Sequence, residues 1–91
     1  MILRVEGGGV TLVDLDDLTS LSAHILGDAT IGDRGRLEDG HVWVSTQTLL
    51  ELAGARAGDQ RWRGGFDGMI DYARRHGWVD GDEVRMHVVG E

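Results

Sequence analysis

Between Asp59 and Val89 the sequence leaves the backbone little choice. Trp62, Phe66, Met69, Ile70 and Ala73 fall at i, i+4, i+7, i+8 and i+11, a single stripe along an α-helix. Asp59 stands where an N-cap is needed, and Gly77 can take the left-handed position that stops the helix after His76. Trp78 comes next, placed to fold back onto Ala73. Asp80-Gly81 or Gly81-Asp82 then turns the chain, and Val84, Met86 and Val88 alternate on a closing strand. A one-sided helix must lay its stripe on another layer, and the alternating strand implies that the layer is a sheet. Gly64, Gly65 and Gly68 interrupt this helix, each costing about 1 kcal/mol relative to alanine. The simpler explanation is a helix that begins nearer Phe66. The other is close approach of the backbone to a second element or subunit.

Upstream, Ser45 can cap a shorter helix over residues 46–53, with Leu49, Leu50, Leu52 and Ala53 apolar and Gly54 at its end. Residues 41–44 read as a strand. Ile2, Leu3 and Val5, then Gly7-Gly8-Gly9, then the run from Val10 to Leu15 read as a hairpin. Residues 16–26 fit a helix capped by Asp14 or a short alternating strand, and the early serine and threonine tip the balance to strand. Residues 27–40 have no period and many turn formers, which predicts a long loop. The expectation is a single α+β domain over residues 1–91. A small antiparallel sheet is packed by helices 46–53 and 60–76 and ends in a C-terminal β-hairpin. Its core is expected to hold Val10, Leu12, Val42, Val44, Leu49, Leu50, Ala53, Trp62, Phe66, Met69, Ile70, Ala73, Trp78, Val84, Met86 and Val88.

Composition removes whole classes of chemistry. With no cysteine there is no disulfide, thiolate nucleophile or Cys-ligated zinc. All nine cationic side chains are arginine, so Schiff-base and phosphate-loop lysines are absent too. The net charge of −7 repels phosphate backbones and anionic membranes. No run is long and apolar enough to span a bilayer, and no secretory leader opens the chain, so a cytoplasmic location is expected. Gly7-Gly8-Gly9 lacks the residues of a phosphate cradle, and no nucleophile–base pairing, catalytic motif or cofactor signature is present. Asp16-Asp17 has the composition of an acid/base or metal pair but fits a turn as well.

Elimination therefore points to a non-enzymatic protein that acts through protein–protein association, with itself as a homodimer or with another chain. The open edge expected of so small a sheet supports this. Trp43 and Trp62, with Arg61 and Arg63, are the candidate contact surface, since Trp and Arg concentrate at interface centres. A second candidate follows from strand alternation. If strands 41–44 and 84–89 are neighbours, His41, Trp43, Arg85 and His87 share the face away from the valines. His41, Arg85 and His87 could bind a small anion, or a metal if a carboxylate joined them. A third reading comes from element order. Strand, two helices and a hairpin over residues 41–89 resemble the end of a winged-helix domain, which implies a nucleic-acid partner. Asp80, Asp82 and Glu83 at the hairpin tip, and Asp67 and Asp71 on the helix, oppose phosphate binding.

Overall fold

The computed structural model describes residues 1–89. Its strands are β1 (Ile2–Glu6), β2 (Gly9–Val13), β3 (Ser22–Ile25), β4 (Arg36–Glu38), β5 (His41–Ser45), β6 (Val79–Asp80) and β7 (Glu83–Val89). Two α-helices lie between β5 and β6: α1 (Thr46–Ala53) and α2 (Gln60–Arg75). All seven strands join one sheet in the order β2-β1-β3-β7-β5-β4, with β6 added beside β7. The class is α+β and most pairings are antiparallel, as the sequence predicts.

The sheet is nonetheless mixed. β3 runs parallel to β1 on one side and to β7 on the other, and so stitches the N-terminal hairpin to the C-terminal strand. Of residues 16–26, only Ser22–Ile25 are strand, and the preceding residues are irregular apart from a turn at Asp16 and a bend at Thr19. The Leu26 N–H donates to the Val5 carbonyl at 2.9 Å, which extends the junction by one residue.

The predicted loop 27–40 is also partly structured. It holds a 3₁₀ turn at Gly32–Arg34 and the edge strand β4, which pairs with β5. Gly35 makes this possible. A Cβ there would collide with the Trp43 carbonyl oxygen and sit 2.8 Å from Val44 Cγ2, so only glycine lets the chain press against β5 before β4 begins.

Both helices start where the capping residues predict. The Ser45 hydroxyl accepts from the Thr48 N–H at 3.0 Å, and the Asp59 carboxylate accepts from the N–H groups of Arg61 and Trp62. At the end of α2, Gly77 takes φ 78°. Its N–H donates to Arg74 O at 3.1 Å and the Trp78 N–H to Ala73 O at 2.9 Å, the paired bonds of a Schellman stop. α2 runs helically through Gly64, Gly65 and Gly68, which overturns the expectation of a start nearer Phe66. Close approach is found at Gly65 alone, where a Cβ would meet Leu18.

The core gathers one face of the sheet with the stripe of α2. Leu3, Val5, Ala23, Val42, Val44, Val84 and Met86 are buried against Leu49, Ala53, Trp62, Phe66, Ile70 and Ala73. Burial of each large side chain contributes about 1.5–3 kcal/mol. Met1, Leu3, Val5, Ala23 and Ile31 enter the core beyond the sequence expectation, because β1 becomes an interior strand once β3 docks beside it. Val10, Leu50, Met69, Trp78 and Val88 are half-buried at its margin.

Candidate functional site

Alternation along the strands decides what the other face of the sheet carries. With Leu3, Val5, Ala23, Val42, Val44, Val84 and Met86 turned to the helices, the opposite side presents Arg4, Ser22, His24, Arg36, His41, Trp43, Arg85 and His87. Both helices bury their stripes in the core, so neither covers this face.

Register sets its centre. Trp43 lies opposite Arg85 of β7 and Arg36 of β4, and the Arg36 guanidinium carbon stands 4.9 Å from its ring centre. Arg36 is also tied to Glu38 at 2.8 Å, Glu83 at 3.1 Å and Asp80 at 3.8 Å. The hydrogen bond to Glu83 raises its pKa further above an already high value. His41 lies opposite His87, the two imidazoles edge-on with centroids 6.0 Å apart. His41 Nδ1 is 3.1 Å from the Asp39 carbonyl.

Arg85 differs from its neighbours. Among the described residues Arg4, Arg36, Arg56, Arg63 and Arg74 all have a carboxylate within 4.0 Å, whereas Arg85 has none. Arg34, Arg61 and Arg75 also lack one, but these three are exposed and Arg85 is half-buried. Its guanidinium carbon lies 5.9 Å from the Trp78 ring centre.

Beside Arg85 the sheet opens. One edge of β7 is shared by two short strands, β6 against Glu83 and Val84 and β3 against His87 to Val89. Between them lies a cleft of about 450 Å³. Its strand side is Arg85, His41 and His87, its helix side Tyr72 and Trp78, and its rim the loop from Thr19 to Leu21. An adjoining pit of about 80 Å³ shares Thr19, Ser20, Leu21, Tyr72, Trp78 and Arg85 with the cleft and is floored by Met69, Ile70, Ala73 and Val84.

The structure separates the residues expected to form one contact surface. Trp43 is half-buried on the uncovered face. Trp62 is 4 % exposed, stacks on Phe66 at 5.3 Å and donates its indole N–H to the Leu15 carbonyl at 2.7 Å. It is a core residue and not part of a surface. Arg61 and Arg63 lie exposed on α2, with Arg63 bound to Asp67 at 3.1 Å, so none of the three meets Trp43. His41, Arg85 and His87 do come together. The sequence reading missed Arg36, Trp78 and residues 19–21, and only the pairing of β4 with β5 and the gap beside β7 bring them into view.

Asp16 and Asp17 stay ionised. The hydrogen bond and charge of Arg56 lower the Asp16 pKa. The Asp17 pKa falls to about 2, first through the Thr19 hydroxyl, then the Thr19 N–H, the Ser20 hydroxyl and the Met1 ammonium. Two carboxylates held this way accept hydrogen bonds and do not shuttle protons near neutrality. Among the described residues no three His, Asp or Glu side chains are grouped to hold a metal, so the His41–His87 pair has no third ligand. In the segment 41–89, β7 is an interior strand of the sheet, and the hairpin it forms with β6 does not project as a separate wing. Comparison of the chain with family models, with curated proteins and with solved structures finds no match.

Proposed function

We propose that this protein acts without catalysis, by protein–protein association, and that its first partner is a second copy of itself joined along the β4 edge. One observation carries the reading. β4 ends the sheet, and its three residues, Arg36-Leu37-Glu38, are complementary to themselves under a two-fold axis. In antiparallel pairing centred on Leu37, Arg36 of each copy lies opposite Glu38 of the other, and the two leucines meet. Leu37 is 59 % exposed, the most exposed large apolar side chain among the described residues. Trp43 lies one strand inward from this edge.

Three residue pairs make a small contact. Each cross-strand charge pair contributes roughly 0.2–1 kcal/mol, so the dimer is weak and depends on concentration. Light scattering after size exclusion, at two loadings about tenfold apart, reads it directly. Glu38→Arg sets arginine against arginine in a homodimer, and Arg36→Glu sets glutamate against glutamate. Each variant alone is expected to be monomeric. Their mixture restores both opposite-charge pairs and is expected to form a heterodimer. A parent chain that stays monomeric at both loadings refutes the reading, as does a Glu38→Arg dimer as strong as the parent.

A further inference from the structure

We infer that the cleft between β3 and β6 is a binding site for a carboxylate carried next to a short aliphatic group. The site goes beyond the edge association and uses none of its residues.

The charge of the ligand follows from Arg85. A half-buried guanidinium without a carboxylate partner among the described residues is unusual in a chain of net charge −7, where acids outnumber arginines sixteen to nine. An arginine presents a planar fork of donors that matches a carboxylate with two parallel bonds. This fork lines the cleft with its guanidinium carbon 5.9 Å from the Trp78 ring centre, and no ion pair among the described residues engages it. The neighbouring imidazoles add polar ring nitrogens of no negative charge, with His87 next in line on β7 and His41 across from it. Among the described residues no aspartate or glutamate lines the cleft or the pit. The hydroxyls of Thr19 and Ser20 already donate to Asp17, so Arg85 is the donor that selects the anion.

The apolar half of the ligand follows from the pit. Its floor of Met69, Ile70, Ala73 and Val84 offers no polar side chain, and Leu21 and Trp78 wall the way in. Its 80 Å³ is about half the ~150 Å³ of an apolar cavity that holds benzene, so the pit suits a short branched aliphatic end and not a ring. Arg85 borders the pit as well as the cleft, so charge and aliphatic group are recognised side by side. A free branched-chain acid and the C-terminus of a peptide ending in leucine share this chemistry.

The test is an NMR titration of the full chain, following the Trp78 indole N–H and the Arg85 side-chain N–H. The probes are 4-methylpentanoate, its amide, acetyl-Ala-Ala-Leu with a free C-terminus, and the amidated peptide. A ligand this small should saturate with Kd on the order of 1 mM. The amides should bind about tenfold or more weakly, since they lose a charge-assisted contact. Arg85→Met should erase the difference between acid and amide, and Arg85→Lys should keep part of it. Melting curves of both variants check that the fold persists. A stronger response to the free acid assigns the site to a small molecule, and a stronger response to the free-ended peptide assigns it to a chain terminus. The inference is overturned by equal binding of acid and amide, by an unchanged acid affinity in Arg85→Met, by acetate or inorganic phosphate binding as well as 4-methylpentanoate, or by no saturable shift at either reporter. Light scattering on the same samples reads the β4 association separately, so failure of one proposal is not mistaken for failure of the other.

Discussion

The three glycines of α2 give the sharpest test of the packing. Gly64 and Gly68 have open space where a Cβ would project, whereas a Cβ on Gly65 would overlap Leu18 Cδ1. In a helix interior alanine is better than glycine by about 0.8–1 kcal/mol, so Gly64→Ala and Gly68→Ala should each stabilise by that amount. One turn apart on α2, the two new Cβ atoms are neighbours that meet no other side chain. The double variant should gain about 2 kcal/mol less the coupling between them, or a rise of roughly 8–16 °C in Tm for a domain of this size. At Gly65 the same propensity gain meets an overlap whose relief costs about 1–3 kcal/mol. Leu18 is half-buried and packs on the core, so turning its end away from Gly65 gives up part of that burial. Gly65→Ala should therefore be neutral or destabilising, and at least ~1 kcal/mol worse than its two neighbours. Urea and thermal melts followed by circular dichroism, with the denaturant slope checked for constancy, give all three values. Equal stabilisation at 64, 65 and 68 would refute the contact between Leu18 and the helix. Destabilisation at 64 and 68 would refute a helix that runs unbroken from Gln60.

Two further substitutions test the division between core and face and the acid behaviour of the N-terminal turn. Trp62→Phe leaves the Leu15 carbonyl without its 2.7 Å donor and should cost about 1–3 kcal/mol, whereas Trp43→Phe on the uncovered face should cost less than about 1 kcal/mol. A reversed order in chemical melts would mean that the two tryptophans have been assigned to the wrong sides of the sheet. For Asp17 the folded pKa of about 2 lies below the ordinary 3.8, so its contribution is complete above pH 3.8 and is lost as the pH falls through about 2. Urea midpoints measured from pH 5 to 2 should fall more steeply for the parent than for Asp17→Asn. Parallel curves would show that the Thr19, Ser20 and Met1 contacts do not hold this carboxylate.

What the sequence revealed was whatever short-range physics marks. Ser45 and Asp59 are capping residues at the starts of α1 and α2, Gly77 is the left-handed stop, and the valines of β5 and β7 alternate. What it hid was set by partners distant in the chain. β3 is four residues long and owes its existence to parallel ladders with β1 and β7, for which no local pattern exists. β4 has three residues among turn formers and is a strand only because Gly35 presses the chain onto β5. The misplacement of Trp62 has a different origin. Its helical spacing to Phe66 already marked it as core, and the general abundance of tryptophan at interfaces pointed the other way. In a stripe this regular, periodicity is the stronger argument. The cleft lay beyond sequence reading because its lining, residues 19–21, His41 and four residues from Tyr72 to His87, meets only through the sheet.

That cleft is a geometric consequence of β7. Seven residues long, it is paired along one edge by β5 alone, from His41 to Ser45. Along the other edge it must serve two partners running in opposite directions, β6 antiparallel at Glu83 and Val84 and β3 parallel from His87. Two strands of opposite sense on one edge cannot merge into a single ladder, so a gap is left where they approach each other. Side chains alternate, so Met86 fills the core beneath that gap while Arg85 and His87 flank it on the uncovered face. The Schellman stop after α2 brings Trp78 to the same place, since its N–H is fixed to Ala73 and its carbonyl accepts from Arg85 at 2.8 Å. An arginine without a carboxylate beside an apolar pit thus follows from topology and from one helix stop. If the gap had only structural meaning, an aliphatic residue at position 85 would close it over the pit and bury more apolar surface. The guanidinium found there keeps the gap polar at its mouth, and this is the physical reason to look for a ligand in it.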